Sequence, residues 1–356
     1  MNVSIFGIAT SYPSFLIRQH EVMAMAAEVF GHRPELMQRM SKSYGNAGVK
    51  QRYSCVPLAW YAEPHGWPER ARLFEENAVK LLTDAGLKAL QHAGVNPADV
   101  AVTVTVSSTG IVTPCLDSLL QKPLGLPPTV ERLPVFGLGC AGGVIGLARA
   151  ASMARALPGR WVLLMCTELC GLTFRAADDS KANIIGTTIF GDGAAAVVLR
   201  ADSEDSPTRP GAPILASIAA SGEHTWPGTR DIMGWRVEDD GLGVLFSNSI
   251  PALVREKMRA VTDTFLAAHG LTQQDLAGLI VHPGGQKVLE AIEDCYELPD
   301  GALADARAVL ADYGNMSAVT VLAVLDRALA RGASGQQLMV AMGPGFSVGM
   351  ALLDLP

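Results

Sequence analysis

The sequence predicts an α/β fold made of two similar halves, in which helices cover sheets of parallel strands. The first observation behind this prediction is a repeat. Residues 94–106 and 270–282 share a pattern of a helix-ending glycine, a capping residue and an apolar run. The second is that helix and strand patterns alternate in the same order around each copy. The third is a composition of 49% hydrophobic and 18% charged residues, typical of a globular protein with a large core.

Each copy of the repeat follows a helix and contains a buried strand. Amphipathic helices are predicted over 74–93 and 250–269, because apolar residues recur there on one face. Each helix ends at a glycine, and an Asn or Thr cap follows with an Asp three residues later. The short apolar runs at 101–106 and 277–281 then predict two buried strands at equivalent places in the two halves.

The next helix and strand are also matched between the halves. In the first half, a helix of small residues is predicted over 139–156, and a strand follows at 161–166. In the second half, a helix is predicted over 314–330, and a strand follows at 338–342. Alternation of this kind, with short turns, indicates strands of one direction covered by helices.

The first half carries an insertion and ends in a predicted linker. Residues 167–190 precede a strand at 191–199, whose counterpart in the second half is 343–353. The stretch 202–213 is rich in Pro, Asp and Ser and is the predicted linker. The predicted units are an N-terminal half over 1–205 and a C-terminal half over 206–356.

Composition and charge exclude several classes of protein. The chain has 28 basic and 35 acidic residues, and its net charge of −7 with no long basic run argues against nucleic-acid binding. No apolar run reaches the roughly 20 residues that cross a bilayer, so we expect no membrane insertion. The N-terminus has no basic leader or cleavage site, which predicts a cytoplasmic protein. Six cysteines without paired spacing predict free thiols and no metal site.

Three residues of the repeat could form a Cys–His–Asn site. Cys140 and Asn315 each open the matched helix of their own half, and His282 follows a strand before Pro-Gly-Gly. If the halves are related by a pseudo-twofold axis, the three side chains converge. A helix N-terminus and a nearby imidazole both lower a thiol pKa, which predicts a nucleophilic thiolate at Cys140. The nearby glycines allow a sharp turn and close approach of an acyl group, with backbone N–H groups for an oxyanion. They are Gly137, Gly139, Gly142 and Gly143.

Each of these residues has a simpler interpretation when it is taken alone. A cysteine in a Gly-rich turn is often a packing residue, a histidine before Pro-Gly-Gly can hydrogen-bond at a strand end, and an asparagine after glycine is a common helix cap. Two other enzyme classes are excluded. A papain-like hydrolase has its cysteine near the mature N-terminus, and no Gly-x-Gly-x-x-Gly pattern of a dinucleotide-binding oxidoreductase follows a first strand here.

Several motifs together resemble those of type III polyketide synthases of the chalcone synthase superfamily. They are Val135–Gly143 around Cys140, Val281–Gly285 around His282, Tyr313–Ser317 around Asn315, Phe190–Ala196 and Gly343–Phe346. The resemblance spans nearly the whole chain. It implies an α/β thiolase-like fold whose two duplicated halves form αβαβα layers, and a homodimer. It also implies Claisen condensation of acyl-CoA with malonyl-CoA, both of them substrates, with no cofactor.

The same resemblance implies roles for the three residues and for a substrate cavity. Cys140 would hold the growing chain, while His282 and Asn315 would promote malonyl decarboxylation and stabilise the resulting anion. Phe190 falls at a gatekeeper aromatic position of the family. A second family aromatic is replaced by Val244, which implies a roomier cavity. The remaining cavity positions are Cys170, Thr173 and Gly186.

Five further residues are implied by the resemblance with less direct support from their surroundings. Ser108, Glu168 and Ser317 fall where a hydrogen-bond network directs aldol cyclisation in stilbene-forming relatives. Glu168 is also interpreted as a structural hydrogen-bonding group at a strand end. Arg39 and Lys42 fall near CoA-phosphate contacts of the family, although exposed basic residues are often only solvated.

The starter substrate is predicted from local segments. Arg52-Tyr53, 60–66, 108–110 and 231–235 resemble bacterial enzymes that extend fatty acyl-CoA into alkylpyrones or alkylresorcinols. One alternative is a tetrahydroxynaphthalene-type synthase that uses malonyl-CoA alone. Another is a carrier-protein-dependent ketoacyl synthase of fatty acid initiation, against which the His-Pro-Gly-Gly motif argues. The alternative that is not an enzyme is a non-catalytic acyl-CoA-binding or interaction protein of the same fold.

Overall fold

The computed structural model describes residues 2–202, 211 and 213–356 of the chain. Most of the predicted linker at 202–213, and the predicted boundary between residues 205 and 206, therefore lie outside the described residues. The side chain of Arg39 also lies outside them, although the helix that carries it is described.

Thirteen strands are present in the described part of the chain. They are β1 (Val3–Ser11), β2 (Phe15–Arg18), β3 (Gln51–Ser54), β4 (Val100–Ser107), β5 (Glu131–Phe136), β6 (Trp161–Leu169), β7 (Asp192–Ala201), β8 (Ala216–Thr225), β9 (Met233–Glu238), β10 (Gly241–Phe246), β11 (Gly278–Val281), β12 (Gly335–Gly343) and β13 (Ser347–Leu355).

The helices cover the sheet or lie between its two halves. They are α1 (Gln19–Val29), α2 (Pro34–Gly45), α3 (Trp67–Ala93), α4 (Leu116–Leu124), α5 (Gly142–Ala156), α6 (Lys181–Ile189), α7 (Ile250–Leu253), α8 (Arg259–Ala267), α9 (Gln286–Tyr296), α10 (Ala304–Tyr313) and α11 (Ala318–Ala330). A π-helical turn, Val254–Met258, joins α7 to α8, so the helix predicted over 250–269 is present with its middle turn widened.

Nine of these strands form one sheet that repeats its own pattern. Its order is β5-β4-β6-β7-β1-β8-β13-β12-β11. On one side, β4 and β6 are parallel and β7 is antiparallel to β6. On the other, β11 and β12 are parallel and β13 is antiparallel to β12. The two patterns meet where β1 pairs with β8, so the predicted α/β fold with duplicated halves is confirmed.

The sheet is mixed, which corrects the prediction of parallel strands. The strand β13 follows β12 after only three residues, and a connection that short joins antiparallel strands, whereas parallel strands need a longer crossover. In the first half, β7 occupies the equivalent place and direction beside β6. The predicted alternation of helix and strand therefore applies to the first two strands of each half, and the last strand of each half reverses direction.

Helices α5 and α11 lie side by side in the middle of the molecule. Helix α5 packs against β4, β6 and β7 of the first half and against β8, β12 and β13 of the second, while α11 also contacts strands of both halves. A Cβ on Gly143 would lie 2.3 Å from the carbonyl oxygen of Ala318, and one on Gly146 would lie 2.7 Å from Val106 Cγ2. Glycine at these positions lets two helices and a strand approach closely.

This packing changes the interpretation of the glycines near Cys140. Gly137 and Gly139 have φ angles of 90° and 49°, so they make the sharp turn that was expected. A Cβ on Gly142 would lie 3.1 Å from Ala318 Cβ and 2.8 Å from Val106 Cγ1. The absence of a side chain at Gly142 and Gly143 thus lets α5 pack closely against β4 and α11. We had expected these two glycines to make room for an acyl group.

Candidate active site

Cys140 lies in the turn that joins β5 to α5. The 3₁₀ turn Gly139–Ala141 leads directly into α5, as predicted. The cysteine lines a pocket between the two halves of the molecule. The pocket walls also include Phe190, Trp235, Val244, Phe246 and Ser317.

Asn315 lies beside Cys140, but it does not open a helix. The Cys140 thiol donates to Asn315 Oδ1 at 3.9 Å. Helix α11 begins three residues later at Ala318, because Ser317 has a φ of 48°, which is outside the helical range. The prediction that Asn315 starts the helix is therefore wrong by one turn. Asn315 is fixed by its backbone, whose N–H donates to Ile189 O at 2.7 Å and whose carbonyl accepts from Gly191 N at 3.0 Å.

His282 follows β11 and is buried, with 3% of its surface exposed. Its backbone N–H donates to Val340 O at 2.9 Å. Neither ring nitrogen has a hydrogen-bond partner within the described residues. Burial lowers the pKa of His282 to about 3, so the imidazole is neutral at physiological pH. The loop of His282 reaches the site through Gly284, whose carbonyl accepts from Asn315 Nδ2 at 3.3 Å.

The thiol of Cys140 is protonated in this arrangement. Burial raises its pKa to about 12, and the negative charge of Glu168 raises it further, while hydrogen bonds with Ser317 and Asn315 lower it. The expectation of a lowered pKa is wrong for this structure, because removal of the thiol from water outweighs the helix end and the neutral imidazole. A base must therefore remove the proton when the sulfur attacks a substrate.

Glu168 is the centre of a buried hydrogen-bond cluster next to Cys140. Its Oε2 accepts from Ser108 N at 2.9 Å and from Thr109 Oγ1 at 2.8 Å, and its Oε1 accepts from Ser317 Oγ at 3.2 Å. Burial raises the pKa of Glu168 to about 7. The hydroxyl of Ser108 accepts from Gly139 N at 2.9 Å, so Ser108 contacts Glu168 through its backbone and the Cys140 turn through its side chain.

Thr109 belongs to this cluster and was not among the predicted residues. Its hydroxyl donates to Glu168 and accepts from Leu169 N at 2.9 Å, which fixes the end of β6. It was noted only within the resembling segment 108–110, without a role, and the further signal was its position next to Ser108.

A second, mainly apolar pocket lies behind the Cys140 pocket. All five predicted cavity residues line it, namely Cys170, Thr173, Gly186, Phe190 and Val244. Other apolar side chains of its lining come from β2, α1 and the turns beside them, namely Ile17, Val22, Met25, Leu58 and Phe174. We call it the rear pocket.

Phe190 and Val244 separate the rear pocket from Cys140, because both side chains line both pockets. A Cβ on Gly186 would lie 3.2 Å from the Phe190 ring and 3.8 Å from Val244 Cγ2. The ring centroids of Phe190 and Trp235 are 5.9 Å apart. Glycine at position 186 thus leaves room for the Phe190 ring against α6. Trp235 was noted only within a resembling segment, without a role.

A groove lined by both polar and apolar residues adjoins the Cys140 pocket and opens to the surface. Lys42, Lys181 and Lys287 line it together with Gly284 and Gly285. We call it the entrance groove. Phe246 is shared between this groove and the Cys140 pocket. Lys42 is where the sequence predicted a basic contact, whereas Lys181 and Lys287 were not predicted because they are distant in sequence and join it only in the fold.

The residues that the structure describes contain no cluster of three or more His, Cys, Asp or Glu side chains that could hold a metal ion. In the same part of the chain, none of the helices has both the length and the apolar character needed to span a bilayer. The six cysteines are all free thiols.

Two family models of chalcone and stilbene synthases match the chain, one in each half. Residues 4–203 match the model for the N-terminal domain of chalcone and stilbene synthases, and residues 217–354 match the model for the C-terminal domain.

Curated relatives match the whole chain. A putative chalcone synthase of Bacillus subtilis is 34% identical and covers 98% of each chain. A 1,3,6,8-tetrahydroxynaphthalene synthase of Streptomyces peucetius is 36% identical over 98% of this chain and 92% of the relative. The alpha-pyrone synthesis polyketide synthase-like Pks18 of Mycobacterium tuberculosis is 29% identical over 99% of this chain and 91% of the relative.

Solved structures agree in fold. PKS-I from the brown alga Ectocarpus siliculosus superimposes with a TM-score of 0.90 at 29% identity, covering 100% of this chain and 98% of the other. The tetrahydroxynaphthalene synthase of Streptomyces coelicolor, a bacterial type III polyketide synthase, superimposes with a TM-score of 0.91 at 26% identity and 99% coverage of both chains.

Proposed function

Because the chain belongs to the chalcone and stilbene synthase family of acyltransferases, we propose that it extends a long-chain fatty acyl-CoA with several malonyl-CoA units. The extended chain then cyclises to an alkylpyrone or alkylresorcinol. The observation that carries the long-chain starter is the rear pocket, whose apolar walls begin at Phe190 and Val244, directly behind Cys140. Each buried methylene of an alkyl chain contributes about 0.8 kcal/mol, so such a pocket favours long starters.

Cys140 is the nucleophile in this proposal. Its sulfur attacks the thioester carbonyl of the starter, and CoA leaves as a thiol, so that one thioester is exchanged for another. The thiol proton must pass to a base. His282 is the proposed acceptor, because a neutral imidazole has one unprotonated ring nitrogen and neither ring nitrogen has a partner within the described residues.

His282 and Asn315 also serve the extension step. Loss of carbon dioxide from malonyl-CoA leaves an enolate, whose oxygen needs hydrogen-bond donors. Asn315 Nδ2 and a ring N–H of His282 supply them in this proposal. The carbanion then attacks the Cys140 thioester, which releases the sulfur and transfers the chain to the malonyl-derived CoA thioester.

The entrance groove suits the CoA part of both substrates. Its three lysines, Lys42, Lys181 and Lys287, provide positive charge for phosphate groups. Phe246 lies where the groove meets the Cys140 pocket, at the place where a narrow thioester arm would enter. The shared walls support substrate entry past Phe246 and storage of the alkyl chain beyond Phe190 and Val244.

The Glu168 cluster is the proposed director of cyclisation. Ser317 links Glu168 to the Cys140 pocket, and Ser108 links it to the Gly139 turn. A carboxylate with a pKa near 7 exchanges protons readily at neutral pH, which suits activation of water for thioester cleavage before aldol closure. Cleavage before closure leads to a resorcinol, and lactone closure leads to a pyrone.

We also propose that the protein is a homodimer. The strand β5 is at one edge of the nine-stranded sheet and runs directly into the Cys140 turn. Phe136, the last residue of β5, and Ile111, in the loop after β4, are 59% and 52% exposed, and the proposed partner would cover them. Sedimentation at micromolar concentration should give twice the mass of the 356-residue chain, and a monomer would refute the dimer.

A tetrahydroxynaphthalene-type synthase is the second candidate. The Streptomyces peucetius relative of that name is 36% identical to this chain. Such an enzyme would use malonyl-CoA as both starter and extender, with the same three catalytic residues. The mainly apolar lining of the rear pocket favours the first candidate.

One experiment separates these functions. Purified protein is incubated with malonyl-CoA and a series of acyl-CoAs from acetyl to stearoyl, and the products are identified by mass spectrometry. Products whose mass grows with the starter support the long-chain proposal and reveal the ring type. A product formed in equal amount without any added acyl-CoA starter would favour the tetrahydroxynaphthalene-type synthase. Turnover only after addition of an acyl carrier protein would favour the ketoacyl synthase.

A further inference from the structure

Arg52 is a buried arginine that holds the end of α6. Only 5% of its surface is exposed, and it lies on β3. Its Nη1 donates to the carbonyl oxygens of Thr187 at 2.7 Å and Phe190 at 2.9 Å, and its Nη2 donates to that of Thr188 at 3.1 Å. One guanidinium therefore joins three carbonyl groups at and just beyond the end of α6, where carbonyls lack partners within the helix.

The charge of Arg52 suits this position. The C-terminal end of a helix carries partial negative charge, and charge-assisted hydrogen bonds are stronger than neutral ones. Burial lowers the pKa of Arg52 to about 10, which leaves it protonated at neutral pH, and Asp192 nearby favours the charged form. Lysine at this position would keep the charge but would lack the planar fork that reaches several carbonyls.

The segment held by Arg52 contains Phe190, which together with Val244 separates the rear pocket from the Cys140 pocket. We call these two side chains the partition. The carbonyl of Phe190 accepts from Arg52, while the flanking backbone groups of Ile189 and Gly191 pair with Asn315. The backbone on both sides of the Phe190 Cα is thus fixed. The direction of its ring against Gly186 follows from that backbone.

Arg52 is also connected to the entrance groove. Its Nη2 donates to Gln19 Oε1, and Gln19 Nε2 donates to Tyr44 O at 3.1 Å and to Thr188 O at 3.0 Å. Tyr44 lies in α2, the helix that presents Lys42 to the groove. The hydroxyl of Tyr44 is 2.6 Å from Thr187 Oγ1. Helix α2, which lines the entrance groove, and the end of α6 that precedes Phe190 are therefore joined around the guanidinium of Arg52.

We propose that Arg52 is a positioning residue that sets starter-length selection by holding Phe190 between Cys140 and the rear pocket. The inference rests on the proposed function, because it assigns the rear pocket to the starter chain. It adds a buried residue that lines the rear pocket but is not among the residues lining the Cys140 pocket.

The test compares Arg52→Met, which keeps the volume and removes the donors, with Arg52→Lys and with Phe190→Ala. Amide hydrogen exchange is measured for peptides that cover residues 186–191 and 313–317. We expect exchange at both places to rise about tenfold in Arg52→Met. Local opening of the segment costs less free energy when the hydrogen bonds of Arg52 are absent. Arg259→Met is the matched control, since Arg259 donates to the carbonyl of Cys295 at 3.1 Å on α8, away from the pockets. Unchanged exchange at residues 186–191 in Arg52→Met would overturn the proposal.

Steady-state kinetics across starter lengths provide the second readout. We expect Arg52→Met to raise KM for long starters about fivefold to tenfold more than for short ones, with a smaller change in kcat, and Arg52→Lys to restore part of the difference. The double variant with Phe190→Ala should show the same length profile as Phe190→Ala alone. An equal loss for all starters, as expected of a purely structural arginine, would contradict the proposal.

Two further variants cover the case in which Arg52→Met does not fold. Gln19→Met and Tyr44→Phe remove contacts to the same helix end and retain the guanidinium. Both should raise exchange at residues 186–191 by a smaller factor, and no rise in either would overturn the proposal. The exchange data do not depend on turnover. If the wild type shows no long-chain activity, the proposed function fails, while exchange still decides whether Arg52 holds the Phe190 segment.

Discussion

The thiol of Cys140 donates a hydrogen bond to the side-chain oxygen of Asn315 across 175 positions of sequence. Cys140 belongs to the first half of the duplicated fold and Asn315 to the second. The contact therefore lies where the two central helices, α5 and α11, begin beside each other. It joins the proposed nucleophile to a proposed stabiliser of the enolate.

Removal of the Cys140 sulfur should separate loading from decarboxylation. In Cys140→Ala, no acyl group can be transferred to the protein, so intact-protein mass spectrometry with an acyl-CoA should show no added mass, and product should fall by ~10³-fold or more. Slow release of carbon dioxide from malonyl-CoA should persist, because His282 and Asn315 remain. Cys295→Ala, a change of a thiol outside the site, is the control. Normal product from Cys140→Ala would refute the assignment of the nucleophile.

Loss of the His282 imidazole should affect both chemical steps. In His282→Ala, acyl loading slows for want of a base, and extension slows because the enolate oxygen loses a donor. We expect kcat to fall at least about a hundredfold, in line with the usual contribution of a general base. The measurements are single-turnover loading and carbon dioxide release. If either proceeds at the wild-type rate, His282 does not act in that step.

Glu168 should make the protein less stable as pH rises. Its pKa is about 7 in the folded protein and 4.5 in the unfolded chain, so the fold favours the protonated form. The stability that comes from this preference is fully present below pH 4.5 and is lost as pH rises through about 7, by an amount on the order of 3 kcal/mol. Glu168→Gln should abolish that part of the pH dependence. Urea unfolding at pH 4.5 to 8 tests this, with exposed Glu75→Gln as the control. Parallel wild-type and Glu168→Gln profiles would contradict it.

A side chain added at position 186 should shorten the preferred starter. Its Cβ would already lie 3.2 Å from the Phe190 ring, so Gly186→Leu should fill the passage into the rear pocket. We expect kcat/KM for palmitoyl-CoA to fall about a hundredfold, and that for short starters to change little, because each excluded methylene costs about 0.8 kcal/mol. Gly45→Leu is the control, since no atom lies within 4 Å of its Cβ position. A uniform loss across starters would count against the rear pocket as the alkyl site.

The lysines of the entrance groove should affect binding more than chemistry. Lys181→Ala and Lys287→Ala should each raise KM for acyl-CoA and malonyl-CoA several-fold and leave kcat nearly unchanged, because surface charge pairs contribute up to about 1 kcal/mol. The effect should shrink at 0.5 M salt, where exposed charges are screened. Exposed Lys88→Ala on α3 is the control. A change in kcat alone would place these lysines outside the CoA site.

The duplicated pattern allowed much of the scaffold to be predicted. The caps at Asn96 and Thr272 both precede short 3₁₀ turns and then strands β4 and β11, because local capping chemistry decides those turns. Asn315 was misplaced by one turn, since the positive φ of Ser317 arises from tertiary contacts that a sequence pattern does not contain.

The chemistry of the site was less accessible from sequence. The raised pKa of Cys140 comes from burial, which depends on the whole fold, whereas a helix end is a local feature. Thr109, Lys181 and Lys287 were missed because ordinary residue types acquire a role only through neighbours far away in the chain. The rear-pocket residues were placed by resemblance to a family and not by any periodicity.

The partition between the pockets is built from parts that the duplication did not supply. Gly186 and Phe190 belong to the insertion that carries α6 and its end, and Val244 lies on the two-stranded sheet of β9 and β10, apart from the nine-stranded sheet. The proposed chemical residues lie instead at strand and helix ends of the repeated scaffold. Mutations could therefore alter which substrates are accepted while the inherited reaction is preserved. New products can therefore arise during evolution by changes in the pocket residues alone, while Cys140, His282 and Asn315 stay unchanged.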